Sequence, residues 1–200
     1  MKTSAIILAA GSGSRMQTQI PKQFMDLCGK PVIYYSILAF VQSGVDEIIL
    51  VTSEPYISYC ENLKKTYGFD KITHIVTGGR ERYLSVYEGL RMLTDSELVL
   101  IHDGARPFIT PSIIKRTREK AAECGACVAA MPAKDTIKLV NEAGIVVHTP
   151  KRSDVWQVQT PQGFQIDLLM KAYEKLFAAG ATNITDDAMV VEGYGKHSIC

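Results

Sequence analysis

Short apolar runs alternate along the chain with longer segments in which apolar residues recur every three to four positions. Apolar runs without polar alternation are typical of parallel strands buried on both faces, and the longer pattern is typical of amphipathic helices. The alternation therefore predicts an α/β domain with a mostly parallel sheet and crossover helices. The predicted strands are Ala5–Ala10, Glu47–Thr52, Ile72–Val76, Leu98–His102 and Cys127–Met131, with a last strand at His197–Cys200.

Proline, threonine and glycine mark the ends of the predicted helices. Pro31 opens the first helix, and Gly44 stops it. Thr110 is a good N-cap and Pro111 a good first residue for a later helix. The predicted helices are Pro31–Ser43, Glu54–Tyr67, Glu81–Leu93, Pro111 to about Glu123, Ile166–Ala178 and one near Asp186–Glu192.

The segment from Asp135 to Thr149 departs from this pattern. Two β-prone runs, Thr136–Val140 and Ile145–Thr149, flank Asn141-Glu142-Ala143-Gly144, which is a hairpin signal. Because these runs lack a continuous apolar character, we expect an arm at about 135–152 that projects from the main sheet. The pattern otherwise predicts a single domain over residues 1–200.

The composition narrows the classes of function. Hydrophobic residues make up 46% and charged residues 22%, which is typical of a globular protein. The net charge of +1 provides no overall field for nucleic acid or a membrane surface, and no apolar run approaches the roughly 18 residues of a membrane span. Five cysteines, an odd number, favour a reducing, cytoplasmic location over a disulfide framework.

A glycine-rich loop follows the first predicted strand and reads Gly11-Ser12-Gly13-Ser14-Arg15. Small residues let backbone N–H groups approach phosphate oxygens, and Arg15 and Lys22 add positive charge. The loop lacks the Gly-Lys-Ser/Thr of a P-loop and the third glycine of a dinucleotide fingerprint, which disfavours a dinucleotide-dependent dehydrogenase. It predicts a phosphate cradle.

Asp103 directly follows the predicted strand Leu98–His102. Its carboxylate is expected at the carboxyl edge of the sheet, where open α/β folds bind ligands. Mg²⁺ takes one or two carboxylates together with substrate phosphates, so Asp103 is a candidate metal ligand; the alternative is that it caps the turn before Pro107. Arg106 either pairs with an acidic residue or reaches a substrate phosphate.

These residues are part of a series of motifs that resembles a known family. Ala9-Ala10-Gly11-x-Gly13-x-Arg15-Met16, followed by Pro21-Lys22-Gln23, resembles the signature of the sugar- and polyol-phosphate nucleotidyltransferases. More narrowly, nearly all 200 residues resemble the 2-C-methyl-D-erythritol 4-phosphate cytidylyltransferase family. The further motifs are Gly78-Gly79 with Arg82 and Ser85, His102-Asp103-Gly104-Ala105-Arg106-Pro107, Lys134-Asp135-Thr136-Ile137-Lys138, Arg152 four residues before Trp156, Gln159-Thr160-Pro161-Gln162, and Thr185-Asp186-Asp187-Ala188.

The resemblance implies a Rossmann-like, open, twisted sheet with helices on both faces. It implies an enzyme of non-mevalonate isoprenoid biosynthesis that transfers CMP from CTP to 2-C-methyl-D-erythritol 4-phosphate. It also implies Mg²⁺ as cofactor and a homodimer in which each arm completes the partner's substrate site. By resemblance, catalysis falls to Arg15, Lys22 and Arg152; nucleotide binding to Ala9, Ala10, Gly11, Gly13, Gly79, Arg80 and Ser85; substrate binding to Arg106, Thr136, Arg152 and Thr160; and metal binding to Asp103.

Two other functions stay open at this point. A ribitol-5-phosphate cytidylyltransferase shares the loop, the arm and the Thr-Pro-Gln segment, although Trp156 and the Thr185–Ala188 motif favour the erythritol enzyme. A non-catalytic nucleotide-binding relative is the other, because the family continues beyond the position of Cys200 with a further Asp and Lys of its site. Arg80 stands where some relatives of the family carry an acidic residue, and this difference bears on which nucleotide base the site selects.

Overall fold

The protein is described here from a computed structural model that covers residues 1–11, 20–180 and 182–199. The strands are β1 (Thr3–Ala9), β2 (Asp26–Leu27), β3 (Lys30–Pro31), β4 (Glu47–Thr52), β5 (Ile72–Thr77), β6 (Leu98–Asp103), β7 (Ala126–Pro132), β8 (Leu139–Val140), β9 (Val146–His148) and β10 (Trp156–Gln165). The helices are α1 (Val32–Gln42), α2 (Ile57–Tyr67), α3 (Arg82–Leu90), α4 (Pro111–Cys124), α5 (Ile166–Ala179) and α6 (Asp187–Gly193), with short 3₁₀ helices at Lys22–Phe24, Glu54–Tyr56 and Arg152–Asp154.

Six strands form the central sheet in the order β5-β4-β1-β6-β10-β7. The strands β5, β4, β1 and β6 are parallel neighbours, and β10 runs antiparallel to both β6 and β7. The sheet is therefore mostly parallel, with one reversed strand. The predicted α/β fold class is confirmed.

Side chains of β1 explain why its apolar run has no polar alternation. Ala5 and Ile7 pack into a core with Ile33 and Phe40 of α1, whereas Ile6, which points to the opposite face, packs with Tyr173 of α5. Successive residues of a strand face opposite sides of a sheet, so a strand between two helical layers must be apolar throughout. Helices cover both faces, as expected.

The expectation of cover on both faces is wrong for the predicted strand Ile72–Val76. This strand, β5, lies at the edge of the sheet, and both Thr73 and His74 are exposed. An edge strand has a neighbour on one side only, so part of its surface meets solvent.

Several helices begin or end at other residues than the sequence predicts. The first helix begins at Val32, because Pro31 pairs with Asp26 in the small β2–β3 hairpin. The segment from Glu54 starts as a 3₁₀ turn before α2, and α3 ends at Leu90 rather than Leu93. The predicted capping of α4 is confirmed, since Thr110 Oγ1 accepts a hydrogen bond from the backbone N–H of Ile113 at 3.4 Å.

Two strand predictions at the carboxyl half also need correction. The last strand, predicted at His197–Cys200, is wrong: within the described part of this segment Ile199 makes an isolated parallel bridge with Cys127. The long strand β10 was not predicted as a strand. It pairs with β6 and β7 but its register shifts between Val158 and Gln162, and the Thr160–Pro161 peptide bond is cis.

The predicted arm is present, with shorter strands than expected. β8 and β9 form a separate antiparallel pair, joined by the turn at 141–145, and their side chains are exposed. The arm connects β7 to β10, so both of its ends are rooted in paired strands of the main sheet. None of the helices in the described ranges is long and apolar enough to cross a membrane.

Candidate active site

Backbone contacts gather the ends of the parallel strands at one edge of the sheet. The N–H of Gly104 donates to the carbonyl of Leu8 at 2.8 Å, and the N–H of Gly78 donates to the carbonyl of Thr52 at 2.8 Å. A Cβ on Gly78 would lie 2.7 Å from Ala10 Cβ, closer than side chains pack. Glycine at this position therefore lets the turn after β5 approach the segment after β1.

The predicted nucleotide-binding residues that the structure describes lie at this edge. Ala9, Ala10 and Gly11 end β1 and begin the glycine-rich loop, while Gly79 and Arg80 follow β5 and are exposed. The predicted residues Gly13 and Arg15 lie outside the described residues.

Ser85 is buried in α3 and shapes the turn after β5. Its hydroxyl lies 3.3 Å from the carbonyl oxygen of Gly79 and 3.2 Å from that of Glu81, and it can donate to either. In this structure Ser85 holds the backbone beside Arg80, so its predicted contact with a nucleotide would require the hydroxyl to change partner.

Lys22 lies on a short turn that follows the glycine-rich loop in sequence. The turn is the 3₁₀ helix Lys22–Phe24, in which Lys22 is exposed while Gln23 and Phe24 are buried. The aromatic ring of Phe24 stacks on Tyr56 with centroids 4.7 Å apart. This packing fixes the inner side of the turn and leaves the ammonium group of Lys22 on the solvent side.

Asp103 lies between two arginines. Arg82 Nε donates to Asp103 Oδ1 at 3.3 Å, and Arg106 Nε donates to Asp103 Oδ2 at 2.9 Å. Burial acts to raise the pKa of Asp103, but the two guanidinium groups outweigh it, and the pKa lies below its usual value. Asp103 is a carboxylate at neutral pH, at the position that the sequence predicted.

Arg82 also forms an ion pair with Asp187, which the sequence did not predict. Its Nη1 donates to Oδ2 of Asp187 at 2.6 Å, and Tyr173 donates its hydroxyl to Oδ1 of the same carboxylate at 2.8 Å. Asp187 is fully buried, which raises its pKa against the opposing effect of Arg82 and Tyr173. Both Arg82 and Asp187 stand in motifs of the family resemblance, but nothing in their spacing pairs them.

His102 and Thr160 form a hydrogen-bond relay behind Asp103. Burial lowers the pKa of His102 to about 4, so its ring is neutral at pH 7. His102 Nε2 lies 3.3 Å from the carbonyl of Arg106, which can only accept, so Nε2 carries the proton. Nδ1 then accepts from the Thr160 hydroxyl at 2.9 Å, and that hydroxyl accepts from the N–H of Asp103 at 3.2 Å.

Arg106 adopts the first of the two roles considered from the sequence. Besides Asp103, its guanidinium donates through Nη1 to Oε1 of Gln159. Arg106 therefore links the loop after β6 to β10. A substrate phosphate would meet a guanidinium that already has two partners.

A cavity of about 910 Å³ opens beside Arg106, between α4 and the strands β7 and β10. Its lining is mostly apolar, with Arg106, Arg116 and Lys120 as its cations. The side chain of Phe108 at this cavity is 88% exposed. The remaining lining residues are His102, Ala105, Pro107, Ile109, Ile113, Thr117, Cys127, Val128, Ala129, Ala130, Met131, Trp156, Gln159 and Thr160.

Thr136 and Arg152 lie on the arm and are exposed. Arg152 Nη1 donates to the carbonyl of Lys134 at 3.3 Å, a contact that joins the two ends of the arm at its base. Five apolar side chains of the arm are at least half exposed as well: Leu139, Val140, Ile145, Val146 and Val147. The predicted residues of the arm are thus presented to solvent.

Asp103 is the residue of this site that could hold a divalent cation. Within the described residues, no three His, Cys, Asp or Glu side chains lie together as a metal cluster. The Asp103 side chain is about one-third exposed, and each of its oxygens accepts one hydrogen bond and so retains a lone pair. This fits an ion such as Mg²⁺, which is commonly held by one carboxylate, water and the phosphates of a substrate.

Comparison with known proteins shows which family the chain resembles. Residues 3–199 match the family model described as IspD, 2-C-methyl-D-erythritol 4-phosphate cytidylyltransferase. A protein with that name from Lachnospira eligens is 50% identical over 198 residues, covering 98% of this chain and 87% of its own length. Another from Lachnoclostridium phytofermentans is 46% identical over 199 residues, covering 99% and 85%.

A solved structure is similar throughout the fold. The crystal structure of 4-diphosphocytidyl-2C-methyl-D-erythritol synthase from Anaerococcus prevotii superposes with a TM-score of 0.86 at 32% sequence identity. The match covers 98% of this chain and 86% of that one.

Proposed function

Because this chain belongs to the 2-C-methyl-D-erythritol 4-phosphate cytidylyltransferase family, we propose that the site around Asp103 transfers the cytidylyl group of CTP to 2-C-methyl-D-erythritol 4-phosphate. The products are 4-diphosphocytidyl-2-C-methyl-D-erythritol and pyrophosphate. The observation that carries the proposal is the convergence of the start of the glycine-rich loop, the turn after β5 and Asp103 at one edge of the sheet. The enzyme acts in non-mevalonate isoprenoid biosynthesis, and we place it in the cytoplasm.

The reaction joins two phosphates without a proton transfer at the start. A phosphate oxygen of the acceptor attacks the α-phosphorus of CTP, a P–O bond forms, and the bond to the pyrophosphate leaving group breaks. The attacking oxygen is already anionic, so no general base is needed. This agrees with the environment of His102, which is buried, neutral and bonded through both ring nitrogens.

Charge neutralisation is the main task of the residues at this edge. Lys22, on the solvent side of its turn, meets the transferring and leaving phosphates together with Arg15. Fixed positive charge of this kind stabilises the charge that develops at phosphorus in the transition state. Gly11 and Gly13 let the backbone approach the same phosphates.

Asp103 would hold Mg²⁺, and Arg82 and Arg106 keep its carboxylate in place. When bound, the ion would neutralise phosphate charge and orient the triphosphate. Arg80, Gly79 and Ser85 lie where the base of the nucleotide is read in the family resemblance.

The acceptor is proposed to enter the cavity that Arg106 lines. Arg106 uses two of its five N–H donors on Asp103 and Gln159, so together with Arg116 and Lys120 it suits a phosphate. Thr160 offers a lone pair to a hydroxyl group because its own proton is donated to His102. Thr136 and Arg152 on the exposed arm would complete this site in a second copy of the chain. The half-exposed apolar side chains of the arm support such a homodimer, since contiguous apolar surface marks an interface.

The experiment that tests the proposal measures pyrophosphate release from CTP and Mg²⁺ with each of two acceptors, 2-C-methyl-D-erythritol 4-phosphate and ribitol 5-phosphate. We expect release with the first at a kcat/KM far above that with the second. Equal or reversed preference would support the ribitol enzyme, and CTP binding without turnover on either acceptor would support a non-catalytic relative.

A further inference from the structure

Gln23 is a buried amide at the root of the glycine-rich loop. Its side chain is 3% exposed, and its Nε2 lies 2.6 Å from the carbonyl oxygen of Ala9 and 3.0 Å from that of Gly11. Both partners are carbonyls, which only accept, so the atom that faces them must be the NH₂ group. Each of its two hydrogens therefore has one partner.

These two hydrogen bonds link Gln23 back to the end of β1 and to Gly11. Ala9 is the last residue of β1 and Gly11 begins the loop, whereas Gln23 belongs to the turn at which the loop ends. The amide thus joins the two ends of the segment. In a trans peptide the carbonyl and the following N–H point in opposite directions, so fixing the carbonyl of Ala9 toward Gln23 turns the N–H of Ala10 away from it.

Packing on the other side of Gln23 holds the turn itself. The N–H of Phe24 donates to the carbonyl of Pro21 at 2.8 Å, and the ring of Phe24 contacts Tyr56 and Tyr59. Lys22 precedes Gln23 directly. A shift of the Gln23 side chain would therefore move the backbone that carries Lys22 as well as the backbone at Ala9 and Gly11.

We propose that Gln23 is a positioning residue for the nucleotide triphosphate, an inference that rests on the proposed function. Its amide sets the distance between the start of the glycine-rich loop and Lys22, and it keeps the carbonyl oxygens of Ala9 and Gly11 occupied. Carbonyl oxygens free to turn outward would repel a triphosphate, because both carry negative charge. Gln23 acts on the nucleotide through these groups and does not touch it.

The test compares two substitutions at this position. Gln23→Glu keeps the shape but sets a carboxylate against two carbonyls, and Gln23→Met keeps the length without a donor. The matched control is Gln165→Glu, because the half-buried Gln165 also donates through Nε2 to a backbone carbonyl, that of Ala122 at 3.1 Å, at the α4–α5 side of the fold. Near-ultraviolet circular dichroism establishes that each variant is folded.

The measurements are the Kd of CTP by titration calorimetry and the KM of each substrate. For both Gln23 variants we expect the Kd and KM of CTP to rise by roughly tenfold or more, while the KM of the acceptor changes by less than about twofold. Gln165→Glu is expected to leave the Kd of CTP within about twofold of the parent.

Each contrary outcome has one meaning. Folded Gln23 variants that bind CTP as the parent does would overturn the positioning role and leave the proposed function intact. Failure of both Gln23 variants to fold would also overturn it, since Gln23 would then serve stability. A parent protein that does not bind CTP would overturn the proposed function itself.

Discussion

Arg82 and Asp187 form an ion pair across 105 residues of sequence, with Nη1 and Oδ2 2.6 Å apart. Asp187 is fully buried at the start of α6, and Arg82 reaches on to Asp103 through its Nε. Helix α6 is thereby connected by one side chain to the carboxylate at the centre of the site.

Removing the acidic partner should destabilise the protein strongly. Asp187→Ala leaves the guanidinium of Arg82 without its buried counter-ion, and we expect the free energy of unfolding to fall by about 3–5 kcal/mol. Urea denaturation measures the free energy of unfolding of each variant. The control is Glu192→Ala, which removes an exposed acidic side chain from the same helix and should change the free energy of unfolding by no more than about 0.5 kcal/mol. Equal losses in the two variants would contradict a special role for the buried pair.

Lys22→Ala should slow turnover without unfolding the protein. Lys22 is exposed on its turn, so its loss removes charge from the phosphates and leaves the buried side of the turn in place. We expect kcat to fall by about 10²–10³. Steady-state pyrophosphate release measures the effect, with the exposed Lys65→Ala on α2 as control. Full activity in Lys22→Ala would remove this residue from the mechanism.

Arg152→Ala should raise the KM of the polyol phosphate more than the KM of CTP. The proposed site of Arg152 is the acceptor phosphate, and its exposed neighbour Lys151→Ala is the control. A mixture of Arg152→Ala and Lys22→Ala subunits tests whether the arm acts in trans. One site of each mixed dimer would then combine an intact Lys22 with an intact Arg152, so activity should recover. No recovery would place Arg152 at the site of its own chain.

The strands of the parallel half could be predicted because their environment requires one kind of residue. β4 is buried on both faces and reads Glu-Ile-Ile-Leu-Val-Thr, and its bounds agree with the prediction at both ends. β10 could not be predicted in this way, since Thr160, Gln162 and Gly163 are polar or small although all three are buried. A Cβ on Gly163 would lie 2.9 Å from Leu100 and 3.0 Å from Ala121, so close packing there excludes a side chain.

The site was predictable where chemistry alone selects the residue, and not where a distant partner does. Asp103 was placed from its position at the end of a strand, and the structure puts it there. The two arginines around it depend on tertiary contacts, and Arg82 takes its counter-ion from α6. The spacing of apolar residues identifies one helix or strand at a time, and it does not show which charged residues of distant elements form pairs.

Gly78→Ala should weaken nucleotide binding. The added methyl group would lie 2.7 Å from both Ala10 Cβ and Ser85 Oγ, so the turn after β5 must move away from the loop after β1. We expect the Kd of CTP to rise by roughly tenfold. Gly193→Ala is the control, because its methyl group would meet none of the described residues within 4 Å. Unchanged CTP affinity in Gly78→Ala would argue against the convergence of these two segments on the nucleotide.

His102 should make stability depend on pH in the mildly acidic range. Its pKa is lowered by burial from 6.5 to about 4, so between these values the unfolded chain binds a proton that the folded chain does not. Stability is therefore expected to fall as the pH drops from about 6.5 to about 4, by up to about 3 kcal/mol. Above that range the histidine makes no difference.

Urea denaturation at several pH values measures this slope. His102→Gln should reduce the slope, although it lowers stability at every pH, and the exposed His148→Gln should leave it unchanged. A slope in His102→Gln equal to that of the parent would assign the acid sensitivity to carboxylates such as Asp103 instead.

The antiparallel strand β10 is synthesised after the two strands that it connects, β6 and β7. Among the strands of the described residues, β7 pairs with β10 alone, and the buried strand β6 has β10 as its neighbour on that side. A ribosome that has synthesised residues 1–155 has made both β6 and β7 but not the strand that connects them. The nascent chain therefore exposes an apolar strand edge until β10 emerges, and during that interval it is open to chaperones and to pairing with other nascent chains.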